Sequence, residues 1–293
     1  MTGLLWAIGP LCFASIGRRI GAAGILVLGR IVASVLLVIV SAAYLLIMPE
    51  ARQVPDSQQV LWIAVSSVLG MVLGDILLYE ALVSLGPRRA TQIQMIAPVF
   101  SASAAWLWMG ETMGPLQLAG AAIVMGGIAV AVMARARTGE KGREPGFVTN
   151  KGLACAIGSA VLTGLGAVTL RQAFRLGPLD SIITGTVRVG IGAVLLSFMP
   201  LVRGQLPALL RYLRDPWILQ RFVPGVLAGP VLGILCYVAA VKRVNPGLVS
   251  TLAQTSPLFM MPMIWYRYNA GIGWRTALAT LAAIGGVALI CWR

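Results

Sequence analysis

The sequence predicts an all-α integral membrane protein of ten transmembrane helices, arranged as two inverted five-helix repeats. Three observations lead there. The chain is 58% hydrophobic and 11% charged, with a mean hydropathy of +0.88, and its apolar runs repeatedly reach the roughly 17–25 residues that a helix needs to cross a bilayer core. The runs are continuously apolar rather than alternating, which argues against barrel strands. A gap-free self-similarity at an offset of 159 residues pairs Gly70/Gly229, Gly74/Gly233, Pro87/Pro246, Pro98/Pro257, Phe100/Phe259, Trp106/Trp265, Gly114/Gly273, Gly126/Gly285 and Gly127/Gly286. Shared glycines arise by chance in a glycine-rich chain, but Pro and Trp pairs in one register point to duplication.

The spans are expected at 2–16, 24–48, 60–84, 91–109 and 115–134, then at 152–173, 181–201, 221–241, 247–266 and 273–292. The first is short, and its start lacks a basic region and a small-residue cleavage pattern, so it is expected to be retained. The second carries Arg30 about six residues inside its apolar run. The third carries Asp75 at mid-helix, with Tyr79 four residues on and on the same face. Glu80 lies nearer that helix's end, where pairing with a loop arginine is the simpler reading.

The fourth span starts Thr91-Gln92-Ile93-Gln94 and meets Pro98. Its repeat partner, the ninth, reads Val249-Ser250-Thr251-Leu252-Ala253-Gln254 before Pro257. Proline within a helix frees a carbonyl, so both places can expose backbone to a wet cavity, and Gln92, Gln94, Thr251 and Gln254 are candidate substrate contacts. Interhelical hydrogen bonding is the competing role. Glu111, at a helix end before Pro115, suits capping or loop positioning. Residues 135–151 form a basic, Gly- and Pro-containing linker, which divides the chain into repeats 1–134 and 152–293. An odd number of spans per repeat turns the copies in opposite senses, a pattern of transporters with a site near the bilayer midplane.

The seventh span carries Arg188, which matches Arg30 at an offset of 158. Guanidinium groups at membrane depth cost about 2.5–3.5 kcal/mol on insertion scales, and by default they mark a pathway. A structural ion pair or snorkelling is the alternative for each. Asp75, Glu80 and Glu111 are the acids available to Arg30, and Asp180 is the acid near Arg188. Residues 203–221 are expected to form an amphipathic helix on the cytoplasmic membrane surface, with a solvated linker as the alternative. Tyr79 and Tyr237, away from helix ends, are substrate-contact candidates. Trp6, Trp106, Trp108, Trp265 and Tyr266 fit belt or packing roles equally well. Gly70-xxx-Gly74, Gly225-xxx-Gly229 and Gly229-xxx-Gly233 permit close helix contact.

The net charge of +14 reflects loops rather than a nucleic-acid face. Fifteen Lys and Arg fall on one side of the membrane and six on the other, leaving Arg30 and Arg188 within it. The richer side is expected to be cytoplasmic and both termini external. Cys12, Cys155, Cys236 and Cys291 lie in apolar stretches without CxxC spacing, so neither a disulfide framework nor a zinc site is indicated, and no cofactor is expected.

These residues resemble the EamA-type drug/metabolite transporter superfamily, and within it the aromatic amino acid and metabolite exporters. The motifs are Gly74-Asp75, Tyr79-Glu80-Ala81-Leu82, Pro98-Val99, Gly110-Glu111, Gly120 and Gly126-Gly127 in the first half. The second half supplies Tyr237, Ala239-Ala240, Pro257-Leu258 and Gly285-Gly286, and Arg30 and Arg188 match an arginine early in the second helix of each repeat. The second half departs at Asn269-Ala270, where the family commonly has Gly-Glu. The resemblance implies ten helices in two inverted repeats, a small-molecule substrate, membrane lipids as surroundings, and typically export across the cytoplasmic (inner) membrane. A monomer and a homodimer both remain open. Without a P-loop, a gradient or exchange must supply the energy, and the arginines with carboxylates, amides and tyrosines suit an amino acid or a similar amphipathic solute. A membrane enzyme acting on lipid phosphates fits less well, because the chain has no histidine and no nucleophile with a neighbouring base. A channel for small solutes is the remaining alternative.

Overall fold

The computed structural model describes residues 1–48, 53, 55–85, 90, 93–137, 150–256, 259, 278, 281–282, 284–287 and 289. Among them the ordered structure is helical: α1 (Thr2–Ile20), α2 (Ala22–Ile47), α3 (Ser57–Leu85), α4 (Ala97–Met109), α5 (Pro115–Arg137), α6 (Asn150–Arg175), α7 (Ser181–Val202), α8 (Leu206–Arg211), α9 (Pro216–Arg243) and α10 (Pro246–Ala253). The helices α2, α3, α6, α7 and α9 are each long and apolar enough to cross a membrane. Positions 278, 281, 282, 284–287 and 289, inside the expected last span, are also helical.

Helix starts follow local chemistry. Asp56 opens α3 with a capping box: its carboxylate accepts the Gln59 N–H at 2.7 Å, while the Gln59 side chain accepts the Asp56 N–H at 3.0 Å. Asp180 caps α7 by accepting from the backbone N–H groups of Ile182 and Ile183, and it also takes the Tyr44 hydroxyl at 3.1 Å. Asp180→Ala should therefore lower unfolding stability in detergent by about 1 kcal/mol or somewhat more, with Asp180→Asn keeping most of it. An unchanged denaturation midpoint for the alanine variant would remove this cap from the account.

The stretch 203–221 is not one surface helix. It folds as the six-residue α8, a 3-10 turn at Tyr212–Arg214, and then α9, which starts five residues earlier than the apolar run suggests. The cause is Asp215-Pro216: Asp215 accepts the Trp217 N–H at 2.9 Å, and proline fits the first helical turn.

Two features repeat in both halves. A π-helical segment interrupts α3 at Ser67–Leu73 and α9 at Leu227–Gly233. A turn at Met95-Ile96 precedes α4, and a turn at Gln254-Thr255 follows α10. That second pair repeats the sequence offset of 159 residues.

Two compact units are present, one of Met1–Leu73 with Gly166–Arg243, the other of Gly74–Leu165 with Val244–Arg293. Each draws on both halves of the sequence. Inside the first unit α2 packs along α7. Tyr44 meets Asp180, Ser41 bonds Thr186 at 2.6 Å, a Cβ on Gly190 would lie 3.7 Å from the Ser34 hydroxyl, and Val27 clusters with Leu196. Numbers fall along one helix as they rise along the other, so these equivalent helices run antiparallel. Inside the second unit the same holds for α4 and α10. Gln254 bonds Gln94, Ser101 donates to the Pro246 carbonyl at 3.3 Å, and Asn245 donates to the Glu111 carbonyl at 3.3 Å. Two antiparallel pairs of equivalent helices are what inverted repeats require.

Candidate substrate site

In the first unit, Arg188 sits two turns into α7 and is only 5% exposed. Hydrogen bonds hold it at both ends. Its Nε donates to the Ser66 hydroxyl at 3.0 Å, and its carbonyl accepts from the Ser67 hydroxyl at 2.7 Å. Ser66 in turn donates to the Gly166 carbonyl at 2.6 Å, so its lone pair faces the guanidinium and the pair has one orientation. Both serines are fully buried where the π segment of α3 begins. A π turn widens the helix locally and is frequent at functional positions.

Space for the guanidinium comes from glycine. A Cβ on Gly70 would lie 3.1 Å from the Arg188 Nη2, and one on Gly166 would meet the backbone N and Cα of Gly70 at 2.9 Å. On its other side the guanidinium lies 5.7 Å from the Tyr237 ring centroid, within the range of a cation–π attraction that gains strength when desolvated. Tyr237 stacks on Trp6 at 5.5 Å and 25°, and Trp6 covers Gly233, where a Cβ would approach the indole to 2.5 Å. The result is a buried cation beside a two-ring wall.

Ser66→Ala removes the group that orients Arg188, and hydrogen bonds to charged groups contribute about 1.5–3 kcal/mol. Expected are a weaker apparent solute affinity and a lower melting temperature. Wild-type values for both would show that Ser66 does not position the arginine.

Arg30 lies half-buried on α2. Both arginines fall within about a turn of the Ser34–Gly190 contact, where α2 and α7 are level. The halves differ around them: Gly225 stands where the first half has Ser66, and no atom lies within 4 Å of a Cβ built on Gly229. Asp180, the acid expected near Arg188, is occupied in capping α7 and in binding Tyr44.

The second unit gathers a neutral polar group. Gln94 Nε2 donates to the Thr163 hydroxyl at 3.1 Å, and Gln254 Nε2 donates to the Gln94 carbonyl at 3.1 Å. Two buried oxygens of this region, Gln94 Oε1 and Ser250 Oγ, lack a hydrogen-bond partner among the described residues. Thr251 is buried, and its hydroxyl donates to the Gly247 carbonyl of its own helix at 2.8 Å. Asp75 and Tyr79 are half-buried on α3 just after its π segment. Glu80 forms an exposed ion pair with Lys151 at 2.7 Å. Gly110, left-handed at φ 66°, ends α4, and the Glu111 N–H bonds back to Ala105. Gln92 and Asn269-Ala270 lie outside the described residues.

The structure thus joins Arg188 to Tyr237 and Gln94 to Gln254. It adds Trp6, Ser66, Gly70, Gly166 and Thr163, which the sequence did not single out as site residues.

Among curated proteins, no sequence match was found. A protein solved by crystallography is similar over 99% of this chain and 94% of its own, at 20% identity and a TM-score of 0.72; at that identity the likeness is one of fold. The family model of the EamA-like transporter family matches residues 1–133 and 150–292. This chain, a multi-pass membrane protein with a duplicated helical fold, therefore belongs to the EamA-like transporter family.

Proposed function

We propose that the protein is a secondary transporter that exports a small carboxylate-bearing organic solute, an amino acid or a similar amphipathic metabolite, across the cytoplasmic membrane by alternating access. The repeats are residues 1–134 and 152–293, oppositely oriented, with both termini external. The observation that carries this reading is Arg188. A guanidinium costs several kcal/mol in the hydrocarbon region unless it is engaged, and here the Ser66 hydroxyl and a glycine-lined gap position it beside Tyr237. Such a cation holds a carboxylate with charge-assisted, planar geometry, while Tyr237 and Trp6 supply apolar surface for the rest of the solute. Gln94 and Gln254 offer amide groups to a polar solute in the second unit. Arg30 is the counterpart of Arg188 in the other repeat.

A thermal-shift screen of purified protein against amino acids and organic acids identifies the solute, because a ligand that binds only the folded state raises its stability. Proteoliposomes preloaded with the best ligand should then show saturable counterflow. Linear, non-saturating uptake would favour a channel.

A further inference from the structure

The end of α1 and the start of α9, with the segment that joins α7 to α9, build a second cationic patch. Arg19 and Arg221 hold their guanidinium carbons 4.3 and 4.2 Å from the centroid of one indole, that of Trp217. Each is attracted to the ring, so one tryptophan keeps two like charges together that would otherwise separate in water. Among the described residues, neutralisation is partial. Asp215 lies 3.7 Å from Arg19, but the same carboxylate caps α9. Arg221 donates to the Trp217 carbonyl at 3.1 Å, and the Tyr212 hydroxyl donates to the Arg19 carbonyl at 3.4 Å, which ties the 3-10 turn to the end of α1.

Residues 203–221 hold four arginines and one acid, and Arg203, Arg211 and Arg214 are exposed. The same stretch has two apolar aspects. Leu206 and Leu209 turn inward onto Val27, Val72 and Leu196, whereas Leu201, Val202 and Leu210 are left exposed. Cations, a tryptophan and exposed aliphatics at the ends of apolar helices match the layered chemistry of a lipid interface, with phosphate outside and acyl chains inside.

We propose that this patch binds the headgroup of an anionic phospholipid. Arg19 and Arg221 grip its phosphate, and Val202 and Leu210 lie against the start of its acyl chains. A lipid is favoured over free phosphate because the exposed aliphatics flank the cations and would gain nothing from a soluble anion.

The test uses full-length protein in a neutral detergent, titrated with phosphatidylglycerol, phosphatidylcholine or inorganic phosphate, with melting temperature and native mass spectrometry as readouts. Phosphatidylglycerol should raise the melting temperature and remain bound, and the effect should shrink as salt rises, since exposed charges are screened. Phosphatidylcholine and inorganic phosphate should do neither. The double variant Arg19→Gln/Arg221→Gln should bind phosphatidylglycerol roughly 10- to 30-fold more weakly, while Arg243→Gln, elsewhere on α9, should bind like wild type. Equal stabilisation by both lipids, or by phosphate alone, overturns the proposal in the unmodified protein, whether or not the double variant folds. So does wild-type lipid affinity in a folded double variant.

Discussion

Replacing Arg188 by alanine should abolish solute exchange while the protein still inserts and purifies as a single species. The fold should survive because the Ser66 hydroxyl keeps its bond to the Gly166 carbonyl, and because the Ser67 hydroxyl bonds the backbone of position 188 rather than its side chain. What disappears is the cation against Tyr237. Losing a charged hydrogen-bonding partner for a solute carboxylate costs about 3 kcal/mol, which is at least a hundredfold in exchange rate at limiting solute. Lysine should not rescue the variant. Its ammonium is a point charge without the planar fork, and it has no Nε to donate to Ser66 while presenting a second face to the solute. Counterflow measured per folded protein checks both variants. Wild-type exchange by the alanine variant would make Arg188 a structural residue.

A large stability loss should come from Gly166→Ala. A Cβ there meets three backbone atoms, the N and Cα of Gly70 at 2.9 Å and the carbonyl oxygen of Ser66 at 3.2 Å. Flexible side chains swing aside at little cost, but here α3 and α6 must separate. Overpacking of this kind costs about 1–3 kcal/mol. It should also disturb Arg188, because Ser66 would lose its register with the Gly166 carbonyl. Gly29→Ala is the matched control, since nothing lies within 4 Å of the added methyl. Thermal unfolding of both variants in detergent should separate them by several degrees. Equal melting temperatures would mean that the Gly70–Gly166 approach is loose.

Much of this architecture was readable in the sequence, for a physical reason. Bilayer thickness imposes a minimum apolar length, so spans announce themselves, and duplication left Pro and Trp in register. The turns at Met95-Ile96 and Gln254-Thr255 fall at the same place in each copy. The start of α9 was misplaced because Asp215 and Pro216 set it, and a count of apolar residues ignores caps. The π segments were not legible: a π turn reflects one accommodated residue in the backbone, and no side-chain pattern marks it.

The site divides in the same way. Arg188 and Tyr237 stood out because polar groups within apolar runs need partners. Ser66 and Ser67 did not, since a serine in a helix commonly bonds its own preceding turn, and only the fold shows that Ser66 reaches Gly166 and Arg188 instead. Trp6 looked like any aromatic near a helix end until its stacking on Tyr237 set it beside the arginine.

The most direct measurement is counterflow of a matched solute pair, an amino acid and its carboxamide, in proteoliposomes containing the wild-type protein. If the buried guanidinium is the solute's anchor, the free carboxylate exchanges saturably and the carboxamide neither exchanges nor competes. Equal exchange of the two would contradict a carboxylate-binding arginine at the centre of the transport path.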